Sequence, residues 1–297
     1  MTHKAEVTGV LSTVALTAGF RTDIGRKRAA NEDSLLAASP VFIVADGMGG
    51  HEAGDRASAA VIAEFSLLVG RDDVTAAEIA AAVDRAHAAV RDIADGTKKG
   101  AGSTLTGFAL VRHEGRSCWL VMNIGDSRVY RLFGTELVQL TVDHSVAQEL
   151  VDAGALRPED VATYPRRNVI TRAVGAPESD ADYWLYPVTT GERLLACSDG
   201  LSGELSDETI RAGLTLGGST QHTADLLLGQ ALERGGRDNI SLVVVDVLSA
   251  SSPRDAALDS DGYGCEFDDV SDDTVVVRTD DTREVPGRRG RPYALRR

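Results

Sequence analysis

Four aspartates sit where short apolar runs meet loops. Asp46 follows VFIVA, Asp126 follows VMNIG, Asp199 follows LLACS, and Asp238 immediately precedes NISLVVVDV. Runs this short, apolar and rich in β-branched residues read as buried strands. The chain is thereby constrained to sheets whose strand ends carry carboxylates. If neighbouring strands end on one side, those carboxylates converge, and converging carboxylates repel unless protons or cations intervene. An all-oxygen donor set without His or Cys suits a hard ion, Mg2+ or Mn2+, rather than zinc or copper. Gly47, Gly49 and Gly50 allow close backbone approach beside Asp46, and the Gly47 carbonyl is itself a candidate ligand. A strand-end Asp can equally close a turn, and the residues alone leave both readings open.

The order of elements narrows the fold. Strand patterns cluster at 105–140, 192–198 and 240–248, and a first strand is expected within residues 7–20. Helical patterns come in pairs. Thr75 and Glu78 have capping-box spacing, and Ile79, Val83, Ala86, Val90 and Ile93 follow as one apolar stripe. Ser145 with Gln148 opens a further helix, and Ser219 or Thr220 a later one. This order lacks the βαβ alternation of a parallel sheet and predicts an α+β fold of antiparallel sheets with helices on their outer faces. The patterns run from residue 12 to 250 as one domain. Residues 251–297 carry an acidic block and then an arginine-rich end, a composition that buries little and predicts a disordered tail.

Composition removes several functions. With 31 basic against 45 acidic side chains and a net charge of −14, a uniformly basic nucleic-acid binder is excluded. Cys118, Cys197 and Cys265 form no C-x-x-C pair, which argues against a disulfide framework or zinc ribbon and for a reducing cytoplasm. No apolar run approaches the roughly 20 residues needed to span a bilayer. None of the cysteines has Arg six positions on, so a cysteine-phosphatase loop is absent.

A second constellation, TDIGRKRAANEDS, sets Arg26, Lys27 and Arg28 among Asp23, Glu32 and Asp33. A guanidinium beside a carboxylate cluster suits phosphate chemistry, because its fork matches two phosphate oxygens. A solvated charged loop would have the same composition. Read together, TDIGRKRAANEDS, VADGMGGHEAG, GSTLTG, NIGDSRVY, LTVDHS, NVITRAVG, CSDGL and RDNIS resemble, in order, the motifs of the protein phosphatase 2C family of metal-dependent serine/threonine phosphatases, bacterial type. They cover about residues 20–241.

The resemblance implies two stacked antiparallel β-sheets flanked on both sides by helix pairs, an αββα four-layer sandwich. It implies two Mn2+ or Mg2+ ions and a third, weaker one. Asp46 would bridge the two ions, with Gly47 on one and Asp199 and Asp238 on the other. Asp126 with Asp199 would hold the third, near Asn168 in a flap at about 142–170. Glu32 and Asp33 would act through metal-bound waters, and Arg28 would bind the substrate phosphate. The implied reaction is in-line attack on phosphoserine or phosphothreonine by a metal-bridging hydroxide. The implied partners are serine/threonine kinases and their substrates, and a monomer is expected. Met48 stands where many eukaryotic members carry a candidate general-acid His, and it cannot donate a proton. His51, His144 and Trp119 are expected to be structural. A non-catalytic signalling relative and a small-metabolite phosphatase are the alternatives.

Overall fold

Period-two alternation decides the layering. In VFIVA, Phe42 and Val44 point to one side, while Val41, Ile43 and Ala45 point to the other, and all five are buried. A strand apolar on both faces must be covered twice. The computed structural model describes residues 7–11, 14–49 and 53–250, and there each of two sheets is covered by its partner sheet and by helices.

The first sheet runs in spatial order β1 (Val7–Leu11), β2 (Val14–Asp23), β12 (Ile240–Ala250), β11 (Arg193–Cys197), β8 (Arg128–Phe133) and β9 (Glu136–Gln139). The second runs β10 (Asp182–Pro187), β7 (Arg116–Ile124), β6 (Leu105–His113), β4 (Val41–Gly49) and β3 (Asp33–Ala38), and short β5 (Ala101–Ser103) extends β4. Every pairing is antiparallel. Helices α1 (Ala53–Ser66) and α2 (Ala76–Asp95) cover the second sheet through Val61, Phe65, Ile79 and Val83. On the first sheet, α5 (Asp207–Leu216) and α6 (Thr220–Arg234) bury Ile210, Leu214 and Leu227. Between the sheets lie Val14, Leu16, Phe42, Val44, Phe108, Trp119, Val243 and Val245. The expected αββα sandwich is the fold.

Local signals act as read. Thr75 Oγ1 accepts from the Glu78 amide at 3.3 Å, and Glu78 Oε2 accepts from the Thr75 amide at 3.0 Å. Ser145 caps α3 (Val146–Asp152) and Ser219 caps α6. Two details differ. The strand expected within 7–20 is a pair, β1 and β2, and DYWLYP forms β10, whose Trp184 is fully buried. The tail from 251, His51 and Cys265 lie outside the described residues. No helix among the described residues is long and apolar enough to cross a membrane.

Trp119 is core, as expected, and has a partner that the sequence does not announce. Its indole stacks edge-on against Phe108 at 5.2 Å, and its Nε1–H donates to Glu192 Oε1 at 2.8 Å. Glu192 is 1% exposed and also accepts from the Thr189 amide and from Arg131 on β8. Three donors on one buried carboxylate therefore tie the second sheet to the first. Glu192→Ala leaves a buried indole N–H and an arginine without their acceptor, and is expected to destabilise the fold by about 3 kcal/mol. Urea denaturation checks this, and Glu192→Gln should cost less because it keeps an acceptor.

Candidate metal and phosphate site

Strand direction brings the acids together. β4, β7 and β11 end at the same edge of the sandwich from which β6, β8 and β12 start. Asp46 is therefore the cross-strand partner of Asp33 on β3, and Cys197, just before Ser198 and Asp199, pairs with Leu242, close to Asp238. Asp126 lies in the turn between β7 and β8, and Asp199 opens the single-turn α4 (Asp199–Ser202).

Polar residues around the acids fix the loops. Asn239 accepts from the Glu32 amide at 2.8 Å and donates to the Ile24 and Ala30 carbonyls at 3.0 and 2.9 Å. One buried side chain thus holds both ends of the loop carrying Arg28. Ser198 donates to Asp33 Oδ2 at 2.9 Å and accepts from the Ser241 amide at 3.0 Å. Thr104 Oγ1 accepts from the Asp46 amide at 2.9 Å and meets Ser127 Oγ at 2.9 Å, joining the Asp46 and Asp126 turns. Sequence reasoning did not assign these three roles. Asn239 and Ser198 lie inside the RDNIS and CSDGL motifs, each directly beside a candidate acid, Asp238 and Asp199.

The site is crowded with negative charge. Burial first, then the charges of Asp33, Asp199 and Asp126, push Asp46 well above the usual carboxylate range. Burial raises Asp33 to about 7, against hydrogen bonds from Ser241 and Ser198. Burial and Asp199 raise Asp126 to about 8. Burial and Asp238 raise Asp199 to about 6, offset by Arg28 and Asp46. Asp33 Oδ1 and Asp199 Oδ1 are buried with no hydrogen-bond donor.

A pocket of about 200 Å³ opens beside the acids, its wall including Asp126, Asn168, Asp199 and Asp238. Arg28, Glu32, Asp33, Asp46 and Gly47 stand outside that wall. Arg28 reaches it through an ion pair to Asp238 Oδ2 at 2.6 Å, which with the nearby acids raises the guanidinium further above its ordinary range. The Glu32 carbonyl accepts from the Gly47 amide at 3.1 Å, and its side chain reaches Gly54 in the first turn of α1. Among the described residues, no three carboxylate, imidazole or thiol groups already form a coordination sphere. The donor chemistry nevertheless fits hard cations, with several carboxylates in one field and two orphaned carboxylate oxygens. Gly47 also fits, since a Cβ there would lie 2.0 Å from the Gly54 carbonyl oxygen. Met48 packs toward Gly102 on β5, and His144 is buried away from the pocket wall.

The fold and the site together define a four-layer sandwich that gathers oxygen donors at the shared edge of its sheets, with an arginine at the rim. Residues 26–227 match the family model described as protein phosphatase 2C. The serine/threonine protein phosphatase PstP of Mycobacterium tuberculosis is 39% identical over 242 residues, 80% of this chain and 46% of that protein. The chain thus spans about half the length of that relative. The serine/threonine phosphatase stp of Listeria monocytogenes is 32% identical over 254 residues, covering 81% of this chain and 99% of its own. The crystal structure of the PstP catalytic domain in complex with two manganese ions superposes with a TM-score of 0.72 at 36% identity, covering 80% of this chain and all of that one. The chain belongs to the protein phosphatase 2C family.

The raised carboxylates set a pH dependence. Unfolded, these acids are ionised above about pH 5, whereas in the folded state Asp33 holds its proton to about 7 and Asp126 to about 8, and Asp46 is likewise pushed toward its protonated form. The folded state then binds more protons, so stability falls as pH rises. For protein stripped with EDTA, Tm is expected to fall from about pH 5, where the unfolded acids are already ionised, and to level off toward about pH 8 as Asp33 and Asp126 lose their protons. Added Mn2+ should raise Tm more at the upper end, which thermal melts with and without metal will read.

Proposed function

We propose that this chain is a metal-dependent protein serine/threonine phosphatase that hydrolyses phosphoserine and phosphothreonine. The observation that carries this reading is the set of like-charged, partly orphaned carboxylates at one sheet edge with Arg28 at its rim. Asp46, the Gly47 carbonyl, Asp199 and Asp238 would hold two Mn2+ or Mg2+ ions, and Asp126 with Asp199 a weaker third near Asn168. Glu32 and Asp33 would bind waters of those ions. When bound, such ions neutralise the carboxylates and supply an activated water for in-line displacement at phosphorus.

The chain's own residues set the rest. Arg28, half-exposed and bonded to Asp238, exchanges that contact for the substrate phosphate and orients it by paired N–H donors. Asn239 keeps the Arg28 loop in register with Asp238. Among the described residues no histidine lines the pocket. Retention of Asp46, Asp199, Asp238 and Arg28 together counts against a purely binding role. The proposed setting is a monomer in the cytoplasm, acting on proteins phosphorylated by serine/threonine kinases. The catalytic unit ends at residue 250.

Hydrolysis of a phosphothreonine peptide with Mn2+, abolished by EDTA and retained by a chain ending at residue 250, is the expected result. No metal-dependent hydrolysis by the full chain would sink the proposal. Arg28→Ala should lower kcat/KM by a factor equivalent to about 1.5–3 kcal/mol, the value of a lost charge-assisted bond. Steady-state kinetics decide this, and unchanged constants would remove Arg28 from the site.

A further inference from the structure

His144 lies in the LTVDHS segment, is 6% exposed, and has no part in the reaction described above. Both ring nitrogens are nevertheless engaged. The Gly125 amide donates to Nδ1 at 3.1 Å. Nδ1 is therefore the unprotonated nitrogen, and Nε2–H points at Asp182 Oδ2, 3.2 Å away. Asp182, itself buried, is held on its other oxygen by Arg172 at 2.8 Å. The backbone of His144 is equally occupied: its amide donates to the Gly125 carbonyl at 2.9 Å, and its carbonyl accepts from Thr171 at 2.8 Å.

Two structural units meet at this residue. One is the turn that aims Asp126 into the pocket. Gly125 has φ of 108°, and its carbonyl also accepts from Asn123 Nδ2 at 3.0 Å, so its peptide is gripped on both sides. The other is the 145–172 segment that carries Asn168 over the pocket. Its two ends close on His144: Ser145 bridges Ile170, the Val146 amide donates to the Val169 carbonyl, and Arg172 joins through Asp182. A buried neutral imidazole needs a partner for its one acceptor and its one donor, and here those two partners belong to different units. Joining all of them makes the orientation of one unit depend on the other.

We propose that His144 is a positioning residue: its Nδ1 acceptor sets the Gly125 peptide and so the aim of Asp126, and its Nε2–H, through Asp182 and Arg172, ties that aim to the far end of the 145–172 segment. The inference rests on the phosphatase reading, in which Asp126 serves the weaker ion. The two functions of the ring separate by substitution. In His144→Asn, the amide oxygen takes the place of Nδ1 and can accept from Gly125, but it does not reach Asp182. In His144→Gln, the longer side chain reaches toward Asp182 and leaves the Gly125 amide without its acceptor.

Three measurements on the full chain test this. Hydrogen exchange of the 123–128 backbone in EDTA reads the Gly125 grip without metal. Mn2+ calorimetry reads the weaker ion, and steady-state kinetics on a small phosphoester separate kcat from KM. For His144→Gln we expect faster exchange at 123–128, a weaker-ion dissociation constant raised about tenfold or more, and a fall in kcat with little change in KM. The tighter ions should bind as before. His144→Asn should recover most of the protection and of the weaker-ion affinity. Parent-like exchange and Mn2+ binding in His144→Gln would overturn the proposal, as would an Asn variant no better than the Gln variant. If neither variant melts cooperatively, Asp182→Asn replaces them; a rise of about threefold in the weaker-ion constant supports the link, and none refutes it. A parent protein that hydrolyses no phosphoester with Mn2+ overturns the phosphatase reading instead, and the exchange data still decide whether His144 holds Gly125.

Discussion

Mutual repulsion among one buried and several half-buried carboxylates is the constraint around which this molecule is arranged. Asp33, Asp46, Asp126 and Asp199 share one low-dielectric edge, and each is shifted toward its protonated form. Left alone, such a cluster opposes folding. It persists because both sheets deliver their strand ends to the same place, with buried apolar clusters behind those ends. The cost is borne by the sandwich and relieved by whatever neutralises the charge. Under the proposed function, stability and catalysis are linked through the same side chains.

The supporting polar residues divide between the site and the frame. Asn239, Ser198 and Thr104 each spend their hydrogen-bonding capacity on backbone, carboxylate or hydroxyl groups next to a site acid, fixing loops that would otherwise be free to relax the repulsion. Glu192 does comparable work far from the acids, where Trp119, Thr189 and Arg131 converge on one carboxylate to lock the sheets together. Buried polar groups of this kind add little net stability but make one arrangement much better than its neighbours. A site that depends on the relative placement of several loops needs that uniqueness.

Much of the fold was legible. The apolar runs became the central strands because only a doubly covered strand tolerates five consecutive buried residues. The Thr75–Glu78 box and the Ser145 and Ser219 caps are local, so sequence spacing suffices to find them. The β1–β2 hairpin and β10 were harder to read. Residues 7–20 carry no strong turn signal, and DYWLYP lacks the uniform apolar pattern of the other strands. The four strand-end aspartates were visible as candidates, yet nothing local distinguished a turn-closing Asp from a site Asp.

By itself the sequence determined the element types, the antiparallel layering and the oxygen-rich chemistry of the site, because alternation, capping and donor type are properties of neighbouring residues. Tertiary structure decided which acids share a field, that Arg28 meets Asp238, that Asn168 lines the pocket, and that His144 joins two segments. Those facts depend on strand direction and register between residues up to 210 positions apart. Contacts at such separation exist only after the sheets have paired, so no short stretch of chain can encode them.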